Sequence, residues 1–248
     1  MSRKVALVTG GAKRIGATIT SQLAEAGYAI IVHARVKDDA EYQAALLRAS
    51  GARAVAVSAE LSQLENLPAL MIAASASFGP PTLLVNNASL FAKDSIETLE
   101  AARFSANLAV NLQAPVLLSR AFAEALPAGE RGAIVNIIDQ RVLRVTPQFL
   151  SYTLAKSALF TATKTLAQAL APRIRVNGIG PGPTIPNIHD GHDGFMQEAA
   201  GTLLQRASAT ADIAAAVLFL AVTESITGQM IAVDSGQHLA WRTPDIVD

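Results

Sequence analysis

Val-Ala-Leu-Val-Thr-Gly-Gly-Ala-Lys-Arg-Ile-Gly, residues 5–16, is the stretch of sequence that decides the fold. It begins with an apolar run typical of a buried strand, and its glycine-rich turn then opens a helix. Glycines let the backbone approach a pyrophosphate closely, and the N-terminus of a helix supplies free N–H groups and a partial positive charge. A strand, a glycine-rich turn and a helix in this order predict the first unit of a dinucleotide-binding sheet.

Short apolar strands alternate with longer helical patterns along the chain. The predicted strands are Val5–Thr9, Ala29–His33, Ala54–Ser58, Leu83–Asn86, Ala133–Ile138, Arg175–Ile179 and Gln229–Val233. The predicted helices include Ile15–Ala26, Ala40–Ser50, Ala101–Ala125, Tyr152–Ala171 and Ala211–Thr223. Nearly continuous apolar strands separated by helices indicate a parallel sheet that is covered on both faces. Because no linker or repeat interrupts the pattern, residues 1–248 are expected to form a single α/β domain, a doubly wound Rossmann fold with about seven strands.

The composition excludes several classes of protein. The chain has 248 residues, 51% of them hydrophobic, and its 20 basic residues balance its 20 acidic residues. This balance leaves no basic excess for binding nucleic acid or an anionic membrane. The absence of cysteine excludes disulfides, thiolate catalysis and cysteine-ligated zinc. Because no long apolar segment stands near the N-terminus, a cytoplasmic location is expected.

The end of the second strand favours NADP(H) over NAD(H). In an NAD-binding protein, an acidic residue at this point hydrogen-bonds the ribose hydroxyls. This chain has His33 and Arg35 there, and Lys13 and Arg14 of the first turn are expected nearby. A guanidinium can hold a 2′-phosphate through paired hydrogen bonds. The alternative for His33 is a partly buried imidazole that packs beside the adenosine.

Glu60, at the end of the third strand, has two interpretations. Its carboxylate either accepts a hydrogen bond from the adenine amino group or is a solvated loop residue.

Tyr152 and Lys156 are four residues apart, so their side chains share one face of a helix. A free phenol titrates near ~10, which is too high for an acid at neutral pH. The Lys156 cation is therefore expected to lower the pKa of Tyr152 and to make it a proton donor for a hydride-transfer reaction. Asp139 stands thirteen residues before Tyr152, at the end of the predicted strand Ala133–Ile138, and the alternative for it is a solvent-exposed carboxylate. Its carboxylate would accept N–H donors of a substrate, and burial would raise its pKa and allow it to pass a proton.

Taken together, these motifs resemble the short-chain dehydrogenase/reductase family over essentially the whole chain. The matching segments are Thr9-Gly10-x-x-x-Arg14-Ile15-Gly16, Asn86-Asn87-Ala88-Ser89, Asn111, Tyr152-x-x-x-Lys156 and Asn177-Gly178-Ile179-Gly180-Pro181-Gly182. The resemblance implies that Tyr152 donates a proton and that Lys156 holds the nicotinamide ribose. It also implies that Asn111 bends its helix and anchors a water leading to Lys156. Asn107, one turn earlier, is the alternative for this role.

Within the family, the chain is most similar to the pteridine reductase and dihydromonapterin reductase branch. Arg14 replaces the central glycine of the first turn, and Asp139 replaces the catalytic serine. Phe91 stands where that branch places an aromatic that stacks on the pterin, although a core phenylalanine is the alternative. The basic pocket formed by His33 and Arg35 is similar to that branch. Glu60, where aspartate is usual, departs from the pattern.

The motifs and the resemblance together give a committed set of site residues. The predicted catalytic residues are Tyr152, Lys156, Asp139 and Asn111. The predicted cofactor-binding residues are Gly10, Lys13, Arg14, Ile15, His33, Arg35, Glu60, Asn87, Ala88, Ser89, Tyr152, Lys156, Pro181 and Gly182. The predicted substrate-binding residues are Arg14, Ser89, Phe91, Asp139 and Tyr152.

Residues 183–206 are a candidate substrate lid. The segment Pro181–Gly201 breaks the alternation of strands and helices with three prolines and four glycines, which predicts a long loop or a loop with a short helix. A cluster of four side chains in this segment suggests a metal site: His189, Asp190, His192 and Asp193. Because the cluster lacks a rigid scaffold and the chemistry needs no metal, solvated lid residues are favoured and no metal is expected.

These observations predict NADPH-dependent reduction of a C=N bond in a dihydropterin, giving the tetrahydropterin. A reductase of a non-pterin ketone, aldehyde or imine would share the cofactor residues and differ at Asp139, Phe91 and the lid. The second alternative is a regulator that senses NADPH without turnover, and the intact set of Tyr152, Lys156 and Asn111 argues against it. Relatives are commonly homotetramers packed through two long helices and the C-terminal strand, so the resemblance implies a homotetramer.

Overall fold

The computed structural model describes residues 4–186 and 191–241. Its strands are β1 (Val5–Val8), β2 (Ala29–Ala34), β3 (Ala54–Ser58), β4 (Leu83–Asn86), β5 (Gly132–Ile137), β6 (Ile174–Pro181) and β7 (Met230–Val233). They form one sheet in the order β3-β2-β1-β4-β5-β6-β7, and every neighbouring pair is parallel. This arrangement confirms the doubly wound α/β fold that the alternating pattern predicts.

Helices cover both faces of this sheet. They are α1 (Arg14–Glu25), α2 (Lys37–Ala49), α3 (Leu67–Ser75), α4 (Ala101–Leu108), α5 (Ala114–Ala125), α6 (Leu150–Leu170), α7 (Gly191–Ala200) and α8 (Thr210–Val222). Side chains of β1 alternate between two buried clusters: Ala6 and Val8 belong to the one covered by α1, α2 and α8, while Val5 and Leu7 belong to the one covered by α3 and α5. Burial on both faces accounts for the nearly continuous apolar strands.

The helices differ from the sequence prediction at two places and agree with it at the candidate lid. The prediction did not include α3, whose sequence Leu-Pro-Ala-Leu-Met-Ile-Ala-Ala-Ser is apolar on nearly all sides and therefore carries no amphipathic period. The helix expected at Ala101–Ala125 is divided by a π-helical turn over Ala109–Gln113. Within the candidate lid, α7 is the short helix that the prediction allowed, and residues 187–190 lie outside the described residues.

None of the helices that the structure describes is long and apolar enough to cross a lipid bilayer. The longest, α6, has 21 residues. Its sequence mixes lysine, serine and threonine with apolar residues, and Tyr152 and Lys156 lie on its buried side.

The sheet places a crevice at its carboxyl edge. The first half of the chain builds outward from β1 through β2 to β3, and the second half builds in the opposite direction from β4 to β7. The direction therefore reverses between β1 and β4, and loops leaving these two strands diverge. In doubly wound sheets this is where ligands bind.

Candidate active site

A cavity of about 700 Å³ occupies the crevice at the carboxyl ends of the strands. It brings together nearly every residue that the sequence assigned to the cofactor, the substrate or catalysis. Those that line it are Gly10, Lys13, Arg14, Ile15, His33, Arg35, Glu60, Asn87, Ala88, Ser89, Phe91, Asp139, Tyr152, Lys156, Pro181 and Gly182. Asn111 is the exception, because it lies buried behind the wall of the cavity. Residues from widely separated segments meet here because parallel strands end at one edge.

The glycine-rich turn forms one end of the cavity. Gly10 has a φ of 60°, and a Cβ on Gly16 would lie 2.0 Å from the carbonyl oxygen of Gly10. The Asn87 side chain braces the turn through its Nδ2, which donates to the carbonyl oxygens of Thr9 and Gly10 at 2.9 and 3.0 Å. At the start of α1, Lys13 makes no side-chain cap, and the first turn holds no acidic residue. The helix N-terminus therefore presents uncapped N–H groups to the cavity, which suits an anion.

Thr9 is a site residue for which the sequence analysis gave no role. Its hydroxyl oxygen accepts hydrogen bonds from the backbone N–H groups of Asn87 and Ala88 at 2.9 and 3.0 Å, and donates to the carbonyl oxygen of Val85. Thr9 thus joins the end of β1 to the end of β4. Its position in the Thr-Gly motif was the one signal in the sequence that marked it as a site residue. Its hydrogen-bond partners could not be predicted, because they lie on a strand that is 77 residues away in sequence and adjacent only in the fold.

The structure contains His33 as a buried imidazole rather than as a second exposed base beside Arg35. The side chain is buried, its Nδ1 accepts from the N–H of Gly10, and its Nε2 contacts the carbonyl oxygen of Ala59 at 3.1 Å. Burial lowers the pKa of His33 to about 4, so the imidazole is neutral at physiological pH. The alternative interpretation, a packed imidazole, describes what the structure contains. His33 fixes the glycine-rich turn to the end of β3.

Arg35 is exposed at the mouth of the cavity, and it forms no hydrogen bond with the part of the chain that the structure describes. Lys13, also exposed, pairs with Asp39 at 2.7 Å. The Glu60 carboxylate accepts hydrogen bonds from the backbone N–H and the hydroxyl of Ser62, and these bonds lower its pKa. Glu60 therefore has local partners, as in the solvated-loop interpretation. The charge of Arg35 also lowers the pKa of Glu60, and the guanidinium keeps its hydrogen-bond donors available for a phosphate.

Tyr152 and Asp139 form a hydrogen-bonded pair on the floor of the cavity. The Tyr152 hydroxyl donates to Oδ2 of Asp139 at 2.8 Å. The other carboxylate oxygen, Oδ1, accepts from the backbone N–H of Arg141 at 2.8 Å, because Asp139 caps the short 3₁₀ turn Gln140–Val142. The bond from Arg141 thereby fixes the orientation of the carboxylate, with Oδ2 directed at the Tyr152 hydroxyl.

The expectation that Lys156 lowers the pKa of Tyr152 is wrong for this protein. Burial, together with the negative charge and hydrogen bond of Asp139, raises the pKa of Tyr152 well above that of a free phenol. The charge of Arg141 and the nearby Ser89 side chain oppose this shift without reversing it. Burial also raises the pKa of Asp139, as expected for a closed pocket. The Tyr152–Asp139 pair therefore retains its proton at neutral pH.

Lys156 lies beneath this pair and is fully enclosed. Its Nζ donates to the carbonyl oxygen of Ile137 at 2.7 Å and lies 5.7 Å from the centre of the Tyr152 ring. Burial lowers the pKa of Lys156 to about 8, and the charge of Asp139 opposes that shift. Because an ammonium has three donors and Ile137 takes one, Lys156 retains donors for a ligand in the cavity that it lines.

Asn111 holds the wall of the cavity in place. It belongs to the π-helical turn, as expected for a residue that bends its helix, and π-turns are frequent at functional sites. Its Oδ1 accepts from the Ser89 hydroxyl at 2.8 Å and from the N–H of Leu90. Its Nδ2 donates to the carbonyl oxygen of Leu90 and to Oδ1 of Asn107. Asn107 and Asn111 are thus members of one hydrogen-bond network.

Phe91 is part of an aromatic cluster at the substrate end. Its ring stacks on Phe149 with centroids 4.3 Å apart and meets the edge of Tyr152 at 4.8 Å. The guanidinium of Arg141 lies 5.0 Å from the centre of the Phe149 ring. Phe91 lines the cavity while one of its faces packs against Phe149, and its contact with a substrate stays a prediction.

Three polar residues that the sequence did not identify lie around the outer rim of the cavity: Arg141, Glu198 and Gln237. Gln237 donates from Nε2 to Oε1 of Glu198 at 2.8 Å, and Arg141 lies 3.8 Å from the same oxygen. Glu198 belongs to α7, so this network ties the candidate lid to the turn after Asp139. No spacing motif connects the three positions.

The structure describes only two of the four residues of the candidate metal cluster. His189 and Asp190 lie outside the described residues, and His192 and Asp193 are exposed in the first turn of α7. Within residues 4–186 and 191–241, no group of three or more histidine or acidic side chains is arranged to hold a metal ion.

Comparison with known proteins is consistent with this site. The family model described as short chain dehydrogenase matches residues 4–192. Solved structures of FolM alternative dihydrofolate reductase 1 from Brucella canis and Brucella suis, both with NADP, are each 47% identical and cover 98% of this chain. The match covers 97% and 98% of those chains, with TM-scores of 0.94 and 0.95. An uncharacterized oxidoreductase from Methylorubrum extorquens is 36% identical over 94% of this chain and 97% of its own length. The chain belongs to the short-chain dehydrogenase family.

Proposed function

We propose that the protein is an NADP(H)-dependent oxidoreductase that reduces a C=N bond of a dihydropterin to give the tetrahydropterin. The observation that carries this proposal is the 2.8 Å hydrogen bond from the Tyr152 hydroxyl to Asp139, at the position where the wider family is expected to have serine. A carboxylate there suits a heterocycle with N–H donors better than a simple carbonyl. The 47% identity to proteins named dihydrofolate reductase supports the same substrate class, because dihydrofolate is itself a dihydropterin.

The nucleotide end of the cavity fits the cofactor. The uncapped N-terminus of α1 and the close approach of Gly10 and Gly16 leave a concave backbone surface suited to a pyrophosphate. Arg35 would hold the 2′-phosphate, and Lys156 would hold ribose hydroxyls. NADP in the two FolM structures supports this choice. When bound, NADPH supplies the hydride for the reduction.

Replacing Arg35 with alanine tests the 2′-phosphate role. The KM for NADPH is expected to rise about tenfold, because one charge-assisted hydrogen-bonding partner is lost, while the KM for NADH changes little. Steady-state kinetics with both cofactors provide the measurement. Arg120→Ala is the matched control, since Arg120 is exposed on α5 and pairs only with Glu124 among the described residues. Equal effects on NADPH and NADH would refute the role.

The chain supplies the proton that the reduction requires. Reduction of a C=N bond adds a hydride to carbon and a proton to nitrogen. The Tyr152–Asp139 pair holds a proton because burial raises the pKa of both members. Once the substrate nitrogen takes that proton from Tyr152, the pair carries an additional negative charge. The Lys156 cation beneath it stabilises this charge in a site of low dielectric.

Phe91→Ala tests whether the aromatic cluster binds the heterocycle. We expect the KM for the dihydropterin to rise several-fold while the Kd for NADPH is unchanged, because an aromatic pair contributes roughly 0.5–1.5 kcal/mol beyond burial. Phe91→Tyr preserves the ring and is the matched control. An unchanged KM for the dihydropterin in Phe91→Ala would limit Phe91 to packing on Phe149.

The proposed function is tested by NADPH oxidation with purified protein. The substrates are 7,8-dihydrobiopterin, dihydromonapterin and dihydrofolate, beside a panel of simple ketones and aldehydes. Rapid pterin-dependent oxidation of NADPH, and much slower oxidation of NADH, is the expected result. Turnover of carbonyls with no turnover of pterins would refute the dihydropterin substrate and leave the cofactor site intact. NADPH binding without any turnover would favour a sensor.

Two further predictions remain open to measurement. A lid over residues 183–206 would bring Glu198 to the substrate, and its tie to Gln237 is consistent with that role. The homotetramer remains a prediction that light scattering of the purified protein checks.

A further inference from the structure

Arg14 has a backbone conformation that a side chain disfavours. Its φ is 54°, in the left-handed region where glycine is the usual residue. The residue lies in the middle of the glycine-rich turn, where its family is expected to have glycine. A strained non-glycine residue at a binding site indicates that its side chain is needed there.

The Arg14 side chain reaches across the mouth of the cavity. Its Nη2 donates to the carbonyl oxygen of Ile185 at 3.2 Å, and its Nη1 donates to that of Pro186 at 3.1 Å. These partners follow β6 and are 171 and 172 residues distant in sequence. Arg14 and Ile185 both line the cavity, so the guanidinium joins the dinucleotide-binding turn to its opposite wall.

The segment that Arg14 holds is the stem of the candidate lid, defined here as Gly182–Pro186. Two backbone hydrogen bonds fasten its first part: the N–H of Gly182 donates to Val233, and the N–H of Ser208 donates to Pro183 at 2.8 Å. The prolines of the stem have no N–H donor, so they cannot donate a backbone hydrogen bond that would fasten it. Within the described residues, the Arg14 guanidinium is what binds the carbonyls at the far end of the stem.

We infer that Arg14 is a positioning residue that fastens the lid stem across the cofactor pocket and slows the exit of the dinucleotide. A dinucleotide seated along the glycine-rich turn lies beside this bridge, so its release requires the stem to detach. Arginine suits the task because its planar fork presents N–H donors to two successive carbonyls in a fixed geometry, whereas the lysine ammonium is a compact charge on a flexible stem. The role requires only the cofactor site and is independent of the dihydropterin substrate.

Three substitutions test the inference: Arg14→Ala, Arg14→Gly and Arg14→Lys. Without cofactor, hydrogen exchange at the amides of Gly182 and Ser208 is expected to accelerate in the alanine and glycine variants, because the stem opens more often. The dissociation rate of NADPH, followed by its fluorescence after a chase with excess NADP⁺, is expected to rise about tenfold in both. Arg14→Lys should restore the dissociation rate only in part.

The matched variants separate this role from two others. Arg14→Gly relieves the backbone strain and Arg14→Ala does not, so equal dissociation rates in the two attribute the effect to the lost hydrogen bonds. If the rates differ because only Arg14→Ala is impaired, the backbone is responsible and the inference is overturned. Unchanged amide exchange in the absence of cofactor, with full recovery by Arg14→Lys, would assign Arg14 to a phosphate instead. Lys13→Ala, which removes a neighbouring cation without a bond to the stem, should leave the exchange unchanged.

Discussion

Replacing Tyr152 with phenylalanine is expected to reduce the turnover of NADPH with a dihydropterin by about 100-fold or more, the magnitude typical of losing a general acid. The substitution removes one hydroxyl, whose proton is directed at Asp139 in the buried pair. Phenylalanine retains the ring that meets Phe91 edge-on, so the walls of the pocket should persist. NADPH binding should therefore survive while the proton transfer fails.

Steady-state kinetics and a fluorescence titration with NADPH distinguish these two effects. Tyr42→Phe is the matched control, because Tyr42 is 68% exposed on α2 and does not line the cavity. Its turnover should equal that of the unaltered protein. Wild-type turnover by Tyr152→Phe would exclude the phenol as the donor. Loss of NADPH binding would indicate damage to the pocket, which a thermal unfolding measurement would detect.

The fold was predictable because the sequence marks where strands begin and end. Apolar runs bounded by glycine or polar residues gave Ala54–Ser58 and Leu83–Asn86 with the same limits in the structure. The helix α3 was not predicted, because nearly uniform apolarity gives it no face to distinguish. Within the long helix, the π-turn around Asn111 depends on bonds to Leu90 on another segment, which no local pattern encodes.

The positions of the site residues were more predictable than their electrostatics. Strand order alone gathers Asn87 and Asp139 at one edge of the sheet. The pKa of Tyr152 depends instead on a balance between burial, Asp139 and nearby cations, and spacing on a helix reveals only the presence of Lys156. The sequence shows that His33 is a titratable base. Its burial in the structure lowers its pKa, so that a neutral imidazole supports the glycine-rich turn.

The polar network at the outer rim of the cavity could not be predicted from the sequence, for a different reason. Arg141, Glu198 and Gln237 come from a 3₁₀ turn, the candidate lid and a turn near the C-terminus. Their association depends on how the segment after β6 folds back over the pocket. Partly buried polar residues such as these carry no hydrophobic period, so their tertiary pairs leave no signature in a single sequence.

Asp139→Asn is expected to shift the alkaline limit of activity to lower pH and to reduce dihydropterin turnover at least about tenfold, the lower range for losing a proton-transfer group. In the unaltered protein, kcat/KM for reduction should fall as the pH rises through the pKa of Lys156, which is about 8. The Asp139 carboxylate raises the pKa of both Lys156 and Tyr152. Asparagine removes that charge, so both groups lose their protons at lower pH than before.

The pH dependence of kcat/KM, measured for the unaltered protein and for Asp139→Asn, gives both the direction and the size of the shift in the alkaline limit. Asparagine preserves the size of the side chain, but its single amide oxygen replaces only one of the two oxygens that accept from Tyr152 and the Arg141 N–H. The shift of the pH profile, rather than the loss of rate, therefore reports the charge. Asp212→Asn on the exposed start of α8 is the matched control and should leave the profile unchanged. An alkaline limit that stays in place, or moves upward, would mean that Asp139 does not govern the protons of this site. A slower reaction with an unshifted profile would restrict Asp139 to holding the substrate.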